Sequence, residues 1–253
     1  MKKSKKDKIL NLTVLLITVA AIFVFWTVAA VSVNSKFVLP DVPATFSAVF
    51  ELLGKGSFYV ALGGTLLRAV IAFAISFIIA FLLALLTEKY VRIRYAVRPL
   101  IAIMRALPTV AVVLLILFWA NSKVAPVIVT MTVVLPTVYT NCVEAFSQVD
   151  GQTITALKLF KVSKKDILFR VSLPQMTPSL LYAAGAGLSL NLKLMVAAEV
   201  LASTAKSLGN LLNYYNYNIM TAYMLAVVLI TVVMGLLVEG VFGFLSKKAG
   251  KWQ

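Results

Sequence analysis

The 253-residue chain contains no histidine and a single cysteine, Cys142. One cysteine cannot form an intrachain disulfide, and the lack of histidine leaves no Cys/His metal cluster. The most common general base is therefore absent, and no clustered carboxylates replace it. The sequence also has no G-x-x-x-x-G-K-[ST] motif, so a P-loop for ATP phosphates is excluded. These absences argue against an enzyme.

Charged residues are scarce, and acidic ones most of all. Only 13% of the residues are charged, with nine acidic and 24 basic side chains and a net charge of +15. In contrast, 61% are hydrophobic and the mean hydropathy is +0.97. A soluble domain is about 45–50% apolar and about one quarter charged. The composition therefore predicts an integral membrane protein with the lipid bilayer, and not nucleic acid, as the partner of its basic residues.

The apolar segments predict an all-α membrane protein with six transmembrane helices. A bilayer core of about 30 Å requires about 20 helical residues. The first segment is longer than the apolar core of a signal peptide, about 7–15 residues, so it is expected to remain as a span. The predicted spans are residues 9–33, 61–86, 100–120, 124–141, 178–201 and 222–245.

The distribution of lysine and arginine predicts the orientation of these spans. One set of flanking segments carries 17 of the 24 basic residues and the opposite set carries four. The positive-inside rule places the richer set, with both chain termini, in the cytoplasm. The predicted organisation is an N-terminal tail, first helix and external loop (1–60), a five-helix core (61–245), and a cytoplasmic tail (246–253).

The inner segment 142–177 is longer than a connection between two packed helices needs. Apolar residues at helical spacing on both sides of residues 161–163 predict a helix, a turn and a second helix in this segment. Ser163 is predicted to cap the second helix, with Asp166 three positions later completing an approximate capping box. From the residues alone, this hairpin could lie on anionic lipid, cap its own helix bundle or dock on a soluble partner.

The segment ends in a pattern that resembles the signature of permease subunits of ATP-binding cassette importers. That signature runs E-A-A, three residues, G, nine residues, I, any residue, L-P. Counting back from Leu173-Pro174 places Lys161 at the Gly position and Thr155-Ala156-Leu157 at E-A-A. The tempting alternative at Glu144-Ala145 fails, because Gly151 follows Glu144 by seven positions instead of six.

Further stretches are similar to the sulfonate/nitrate/taurine-type members of this family. Their order and spacing extend the resemblance over about residues 64–245. The stretches are Thr65-Leu66-Leu67-Arg68, Arg105-Ala106-Leu107-Pro108, Val149-Asp150, Ala198-Glu199-Val200 and Ser207-Leu208-Gly209.

The resemblance implies a permease subunit in a prokaryotic cell membrane that works with three kinds of partner. These are an ATPase subunit that carries ATP and Mg²⁺, an extracytoplasmic solute-binding protein, and a second permease copy, most commonly an identical one. No cofactor is expected on this chain. The segment implied to contact the ATPase is Thr155, Ala156, Leu157, Lys158, Leu159, Phe160, Lys161, Val162, Ser163 and Lys164.

Two residues of that segment depart from the family pattern. Thr155 replaces the Glu of the signature, and Lys161 replaces its Gly. Glycine serves where the backbone needs a positive φ or a close approach to another chain. A lysine adopts such a conformation only with strain, so the turn at Lys161 is expected to be reshaped.

Polar residues within the predicted spans need a physical reason, because ionisable groups at the bilayer centre cost about 2.5–3.5 kcal/mol on insertion scales. Arg68 is expected at the outer interface. Arg105 could reach the cytoplasmic face through its flexible stem or pair within the bundle. In the fifth span, two interpretations remain open: pairing with other helices, or a translocation path for an anionic solute. Its polar residues are Ser189, Asn191, Lys193 and Glu199.

The main alternative function is a secondary transporter that needs no ATPase. It would require a proton or sodium site near the membrane midplane. Glu199 is the one acidic candidate away from the predicted cytoplasmic face. The sequence does not identify the solute, which by resemblance could be a sulfonate, nitrate, bicarbonate or a vitamin precursor.

Overall fold

A computed structural model describes residues 5–250, apart from the side chains of residues 5–9, 11 and 12; the ends of both predicted tails, 1–4 and 251–253, lie outside it. The described part is all helical, as predicted, without a strand. Its α-helices are α1 (Lys5–Val33), α2 (Val42–Leu53), α3 (Gly56–Lys89), α4 (Val91–Ala106), α5 (Thr109–Leu117), α6 (Ala125–Ser147), α7 (Gly151–Leu159), α8 (Lys164–Asp166), α9 (Leu173–Leu201), α10 (Leu208–Tyr217) and α11 (Thr221–Ala249).

Within residues 5–250, five helical segments are long and apolar enough to cross a membrane, or six if one bent pair of helices counts as a single span. The predicted helical membrane fold is therefore confirmed. The five segments lie in α1, α3, α6, the continuous stretch 164–201 and α11.

The third predicted span, 100–120, is wrong as a single straight helix. The chain instead forms α4 and α5, which meet at an angle of 91°. Between them Leu107 is extended, with φ −67° and ψ 126°. Pro108 explains the break, because a proline disfavours helical backbone at the preceding residue and has no N–H of its own.

Helix α2 was not predicted, because its 12 residues are too short for a span. Asp41 caps it by accepting a hydrogen bond of 2.8 Å from the backbone N–H of Ala44. The preceding turn is held to α1, where the indole N–H of Trp26 donates to the carbonyl of Pro40 at 3.1 Å. Phe23 of α1 also packs near Phe46 of α2, with ring centroids 6.1 Å apart.

The chain divides into two compact units, one formed by residues 1–59 and 211–230 and the other by residues 60–210 and 231–253. In the second unit, α9 packs closely against its neighbours through glycine. A Cβ atom at Gly185 would lie 2.5 Å from the Cβ of Phe242, and one at Gly187 would lie 3.0 Å from the Phe73 ring. The small-residue stretch at 183–187 thus permits close helix packing.

Candidate functional site

The first candidate site is the short helix α7 and the turn that follows it. Asp150 caps α7 by accepting from the backbone N–H groups of Gln152 at 2.9 Å and Thr153 at 3.3 Å. The hydrogen bond from the Thr153 hydroxyl and the one from the Gln152 N–H lower the pKa of the Asp150 carboxyl. No residue of α7 is buried. The helix is thus capped at its N-terminus while its sides remain accessible to a partner.

Helix α7 ends in a Schellman motif with Lys161 at the position that glycine usually occupies. The Val162 N–H donates to the Leu157 carbonyl at 3.1 Å, and the Lys161 N–H donates to the Lys158 carbonyl at 3.0 Å. Lys161 has a φ of 57°. The turn thus keeps the backbone that glycine favours, and the expected reshaping at Lys161 is not observed.

Replacing Lys161 with glycine is expected to stabilise the protein by about 1 kcal/mol, because glycine adopts positive φ without a steric penalty. Chemical unfolding of the purified variants would measure this change. Lys161→Ala is the matched control, since it removes the charge and keeps the strain. Equal stability of the two variants would contradict the assignment of strain to this backbone.

The predicted N-cap at Ser163 is confirmed. The Asp166 N–H donates to the Ser163 hydroxyl oxygen at 3.1 Å, and that hydroxyl donates to the Asp166 carboxylate at 2.6 Å. From here the chain is helical without interruption to the end of α9, a stretch of 38 residues. A displacement of the turn would therefore act directly on the base of α9.

A widened, π-helical segment, Ile167–Ser172, lies within this stretch. The Leu173 N–H donates to the Leu168 carbonyl, five residues earlier. The widening comes immediately before Pro174, whose ring would clash with the carbonyl four residues back in a regular helix. The Leu173-Pro174 pair of the signature thus directly follows the π-helical segment and begins α9.

The α7 turn, defined here as residues 155–164, presents two large apolar side chains to the solvent. Leu159 is 79% exposed and Phe160 is 81% exposed. Leu157 and Val162 are half-buried, and the other residues of the turn are exposed. Glu144, by comparison, lies in the last turns of α6, so the rejected match does not belong to this connection.

The second candidate site is a buried ion pair between α3 and α9. Arg68 contacts the Glu199 carboxylate at 2.8 Å, and the Thr65 hydroxyl donates to the other oxygen at 2.8 Å. The Glu199 side chain is fully buried, and that of Arg68 is 17% exposed. Arg68 therefore compensates an interior carboxylate, and its expected place at the outer interface stays a prediction.

The same pair fixes the connection between α9 and α10. Arg68 donates to the carbonyl of Lys206 at 3.2 Å, and the Leu208 N–H donates to the Thr65 hydroxyl at 2.9 Å. A Cβ at Gly209 would lie 2.5 Å from the Cβ of Glu199, so this position has no room for a side chain. The three family-like stretches 65–68, 198–200 and 207–209 thus meet in one polar cluster.

The polar residues predicted for the translocation path lie in different environments. Asn191 is buried and donates to the carbonyl of Ala69 at 2.7 Å. Glu199 is held by Arg68. Ser189 is buried, and its hydroxyl has no hydrogen-bond partner among the described residues. Lys193 is exposed on α9.

Lys193 lies at mid-depth in the helix bundle. Its Cε is 3.7 Å from the position of a Cβ built on Gly235, and the Ser189 hydroxyl is 2.9 Å from the same point. Gly235 is the middle residue of the 29-residue α11. Within residues 5–250, the Lys193 ammonium makes no ion pair. A lysine at this depth is costly in lipid, so it requires water or an anion.

Arg105 pairs within the bundle, one of the two alternatives for it. Its guanidinium donates to the carbonyl of Pro136 at 3.3 Å and to the hydroxyl of Thr140. Both acceptors lie in α6 and both are uncharged. The positive charge of Arg105 is therefore solvated by dipoles and lacks an acidic partner in the part of the chain that the structure describes.

The comparisons with known proteins agree with this architecture. The family described as binding-protein-dependent transport system inner membrane component matches residues 80–251. The chain is 24% identical to a candidate ABC transporter permease of Methanocaldococcus jannaschii, with 91% of this chain and 88% of that protein covered. It is 22% identical to the taurine transport system permease protein TauC of Escherichia coli, with 90% of this chain and 85% of that protein covered.

The fold is also that of a solved importer. A chain of the MetNI methionine ABC transporter, in an inward-facing conformation, superposes with a TM-score of 0.65 at 17% identity, over 75% of this chain and 94% of that chain. The protein is a multi-pass membrane permease of the importer class. It belongs to the family of binding-protein-dependent transport system inner membrane components, and it is the permease component of a prokaryotic ABC importer.

Residue-level reasoning missed the partnership of Thr65 and Arg68 with Glu199. The signal was present, since each residue stood in a family-like stretch and Glu199 was the acidic residue predicted within a span and away from the cytoplasmic face. The sequence does not show that the residues meet, because Arg68 and Glu199 are 131 positions apart along the chain.

Proposed function

We propose that two copies of this chain form the translocation path for a small anion, delivered by an extracytoplasmic binding protein and driven by separate ATPase subunits. ATP and Mg²⁺ bind to the ATPase, and this chain binds neither. The observation that carries the proposal is the α7 turn, which exposes Leu159 and Phe160 on a rigidly capped hairpin.

The geometry of the turn suits the transmission of force. Docking of an ATPase on Leu159 and Phe160 would remove exposed apolar surface from water, at about 25 cal/mol per Å². Because residues 164–201 form one helical stretch, closure of the ATPase pair would shift α9 together with the turn. Such a shift switches the permease between its inward-open and outward-open states only if the contacts with the ATPase differ between those two states.

Co-purification tests this assignment. A tagged permease is expected to retain its ATPase subunit, and a variant lacking residues 155–164 is expected to lose it. The paired measurement is the amount of permease in the membrane, which must remain similar. An ATPase that is never retained by the intact chain would favour a secondary transporter instead.

The buried environment of Glu199 argues against that alternative. A proton- or sodium-coupled carrier needs an acidic group that is free to exchange its cation. Glu199 is held by Arg68, Thr65 and the Gly209 N–H, which donates at 3.4 Å. A guanidinium fixed at 2.8 Å occupies the place that a transported cation would need.

We further propose that Lys193 faces the path and attracts an anionic solute, with Ser189 beside it. Asn191 and Glu199 hold helices together, since both are buried and hydrogen bonded within the chain. Taurine, named in the relative TauC, carries a sulfonate, which is the kind of negative group that an ammonium recognises.

Replacing Lys193 with methionine is expected to reduce the rate of uptake at limiting solute at least tenfold. A charge-assisted hydrogen bond contributes about 1.5–3 kcal/mol, and 1.4 kcal/mol corresponds to a factor of ten. Lys193→Arg should retain most of the uptake, while Lys123→Met is the control for loss of a basic residue elsewhere. Unchanged uptake by Lys193→Met would remove Lys193 from the path.

A further inference from the structure

Helix α4 carries three arginines along one side. Arg94, Arg98 and Arg105 are separated by four and seven residues, which places them within about 40° of one another around the helix. They border a cleft of about 700 Å³ between α4 and α6. The rest of the lining is apolar or hydroxylated: Ile101, Ala102, Ala106, Tyr139 and Thr140.

In the described part of the chain, only one of the three arginines of this cleft forms an ion pair with an acidic side chain. Arg94 pairs with Glu88 at 2.6 Å and donates to the carbonyl of Thr87 at 3.2 Å. Arg105 donates to uncharged oxygens of α6. Arg98 is exposed and has no ion pair among the described residues. Within residues 5–250, the guanidinium charges of Arg98 and Arg105 therefore have no acidic partner.

The depth of the cleft matches a headgroup layer. Arg94 lies beside the last residues of α3, which ends at Lys89. Arg105 contacts Thr140, seven residues before α6 ends at Ser147, or about 10 Å along the helix. Both ends lie on the side that the basic residues assign to the cytoplasm. The polar layer of a bilayer extends several ångströms beyond its core of about 30 Å.

The exposed surface of α4 outside the cleft favours lipid over a dissolved anion. Leu100 and Ile103 are each 61% exposed and Tyr95 is 73% exposed. A helix with arginines on one side and exposed apolar side chains on another is typical of the membrane interface. Guanidinium groups bind phosphate oxygens in a forked geometry, and basic pockets between spans on the cytoplasmic side bind anionic headgroups.

We propose that the cleft between α4 and α6 binds the phosphate-bearing headgroup of an anionic phospholipid of the inner leaflet. Arg98 is the principal contact, because Arg94 and Arg105 are already engaged in part. The bound headgroup would neutralise the arginine stripe next to the break at Leu107-Pro108 and so fix the direction of α4 relative to α5.

Native mass spectrometry of the purified importer complex would test the site. After delipidation, the complex is titrated with phosphatidylglycerol or with phosphatidylcholine. Phosphatidylglycerol is expected to bind preferentially, and Arg98→Gln is expected to reduce its retention at least fivefold. Arg92→Gln is the matched control, since Arg92 points about 160° away from Arg94 and does not line the cleft.

Three results would overturn the proposal. Equal retention of phosphatidylglycerol by Arg98→Gln and Arg92→Gln would remove the cleft as the site. Displacement of the lipid by millimolar sulfate at constant ionic strength would assign the arginines to a free oxyanion. A loss of paired permeases in Arg98→Gln, without a change in bound lipid, would assign this surface to protein contact. Because Arg98 is exposed, Arg98→Gln should fold. Arg98→Lys keeps the charge without the forked guanidinium geometry and is expected to retain less phosphatidylglycerol than the unchanged protein.

Discussion

Replacing Arg68 with methionine is expected to lower the free energy of unfolding by about 3–5 kcal/mol, the range for breaking one partner of a buried ion pair. The loss would come from Glu199, whose fully buried carboxylate would be left without the guanidinium at 2.8 Å. Titration with a denaturing detergent, followed by tryptophan fluorescence, would measure the change in the purified permease.

The double variant Arg68→Met/Glu199→Gln provides the matched control. Glutamine keeps an oxygen that can accept from Thr65 and from the Gly209 N–H, and no charge remains to be buried. The double variant should therefore be more stable than Arg68→Met alone. If both lose the same stability, the effect comes from packing of the arginine stem and not from the unpaired carboxylate.

A second large effect is expected at the tip of α7. Replacing Leu159 and Phe160 together with serine should reduce ATP-driven uptake at least tenfold while leaving the stability of the permease nearly unchanged. Both side chains are about four-fifths exposed, so the fold gains little from them. An ATPase docked on them would lose about 1.5–3 kcal/mol of apolar burial for each, and 1.4 kcal/mol corresponds to tenfold.

Phe169→Ser is the control for this variant. Phe169 is 64% exposed and lies in the π-helical segment beyond the α7 turn. Uptake should be much less affected by this change. Similar losses from both variants would mean that any exposed apolar side chain near the loop matters, and the particular role of residues 159 and 160 would be withdrawn.

Much of the fold could be predicted from the sequence because its determinants are local. Span number follows from apolar length, and the cap at Ser163 follows from the position of Asp166 three residues later. The positive φ of Lys161 falls at the position where the family pattern has glycine, although a reshaped turn was expected there. In each case the residues that fix the geometry lie within a few positions of one another.

The features that escaped prediction depend on context. Residues 100–120 are apolar enough for one span, and hydropathy does not register that Pro108 turns the chain by 91°. Helix α2 is too short for the length criterion. The Arg68–Glu199 pair joins α3 to α9 across 131 positions, so only the folded bundle brings it together.

The site was predictable in the same uneven way. The α7 turn followed from counting back from Leu173-Pro174. The polar residues of α9 could be named but not sorted, because helical spacing gives the angle between side chains and not what surrounds them. The structure separates Asn191, which reaches Ala69, from Lys193, which stays exposed.

The most direct test of ATP-driven import is solute uptake by proteoliposomes that contain the permease and its ATPase. Uptake is expected to require ATP together with the solute-loaded binding protein, and to persist when a protonophore collapses the proton gradient. Uptake that runs on a proton or sodium gradient without ATP would contradict the importer mechanism and identify a secondary transporter.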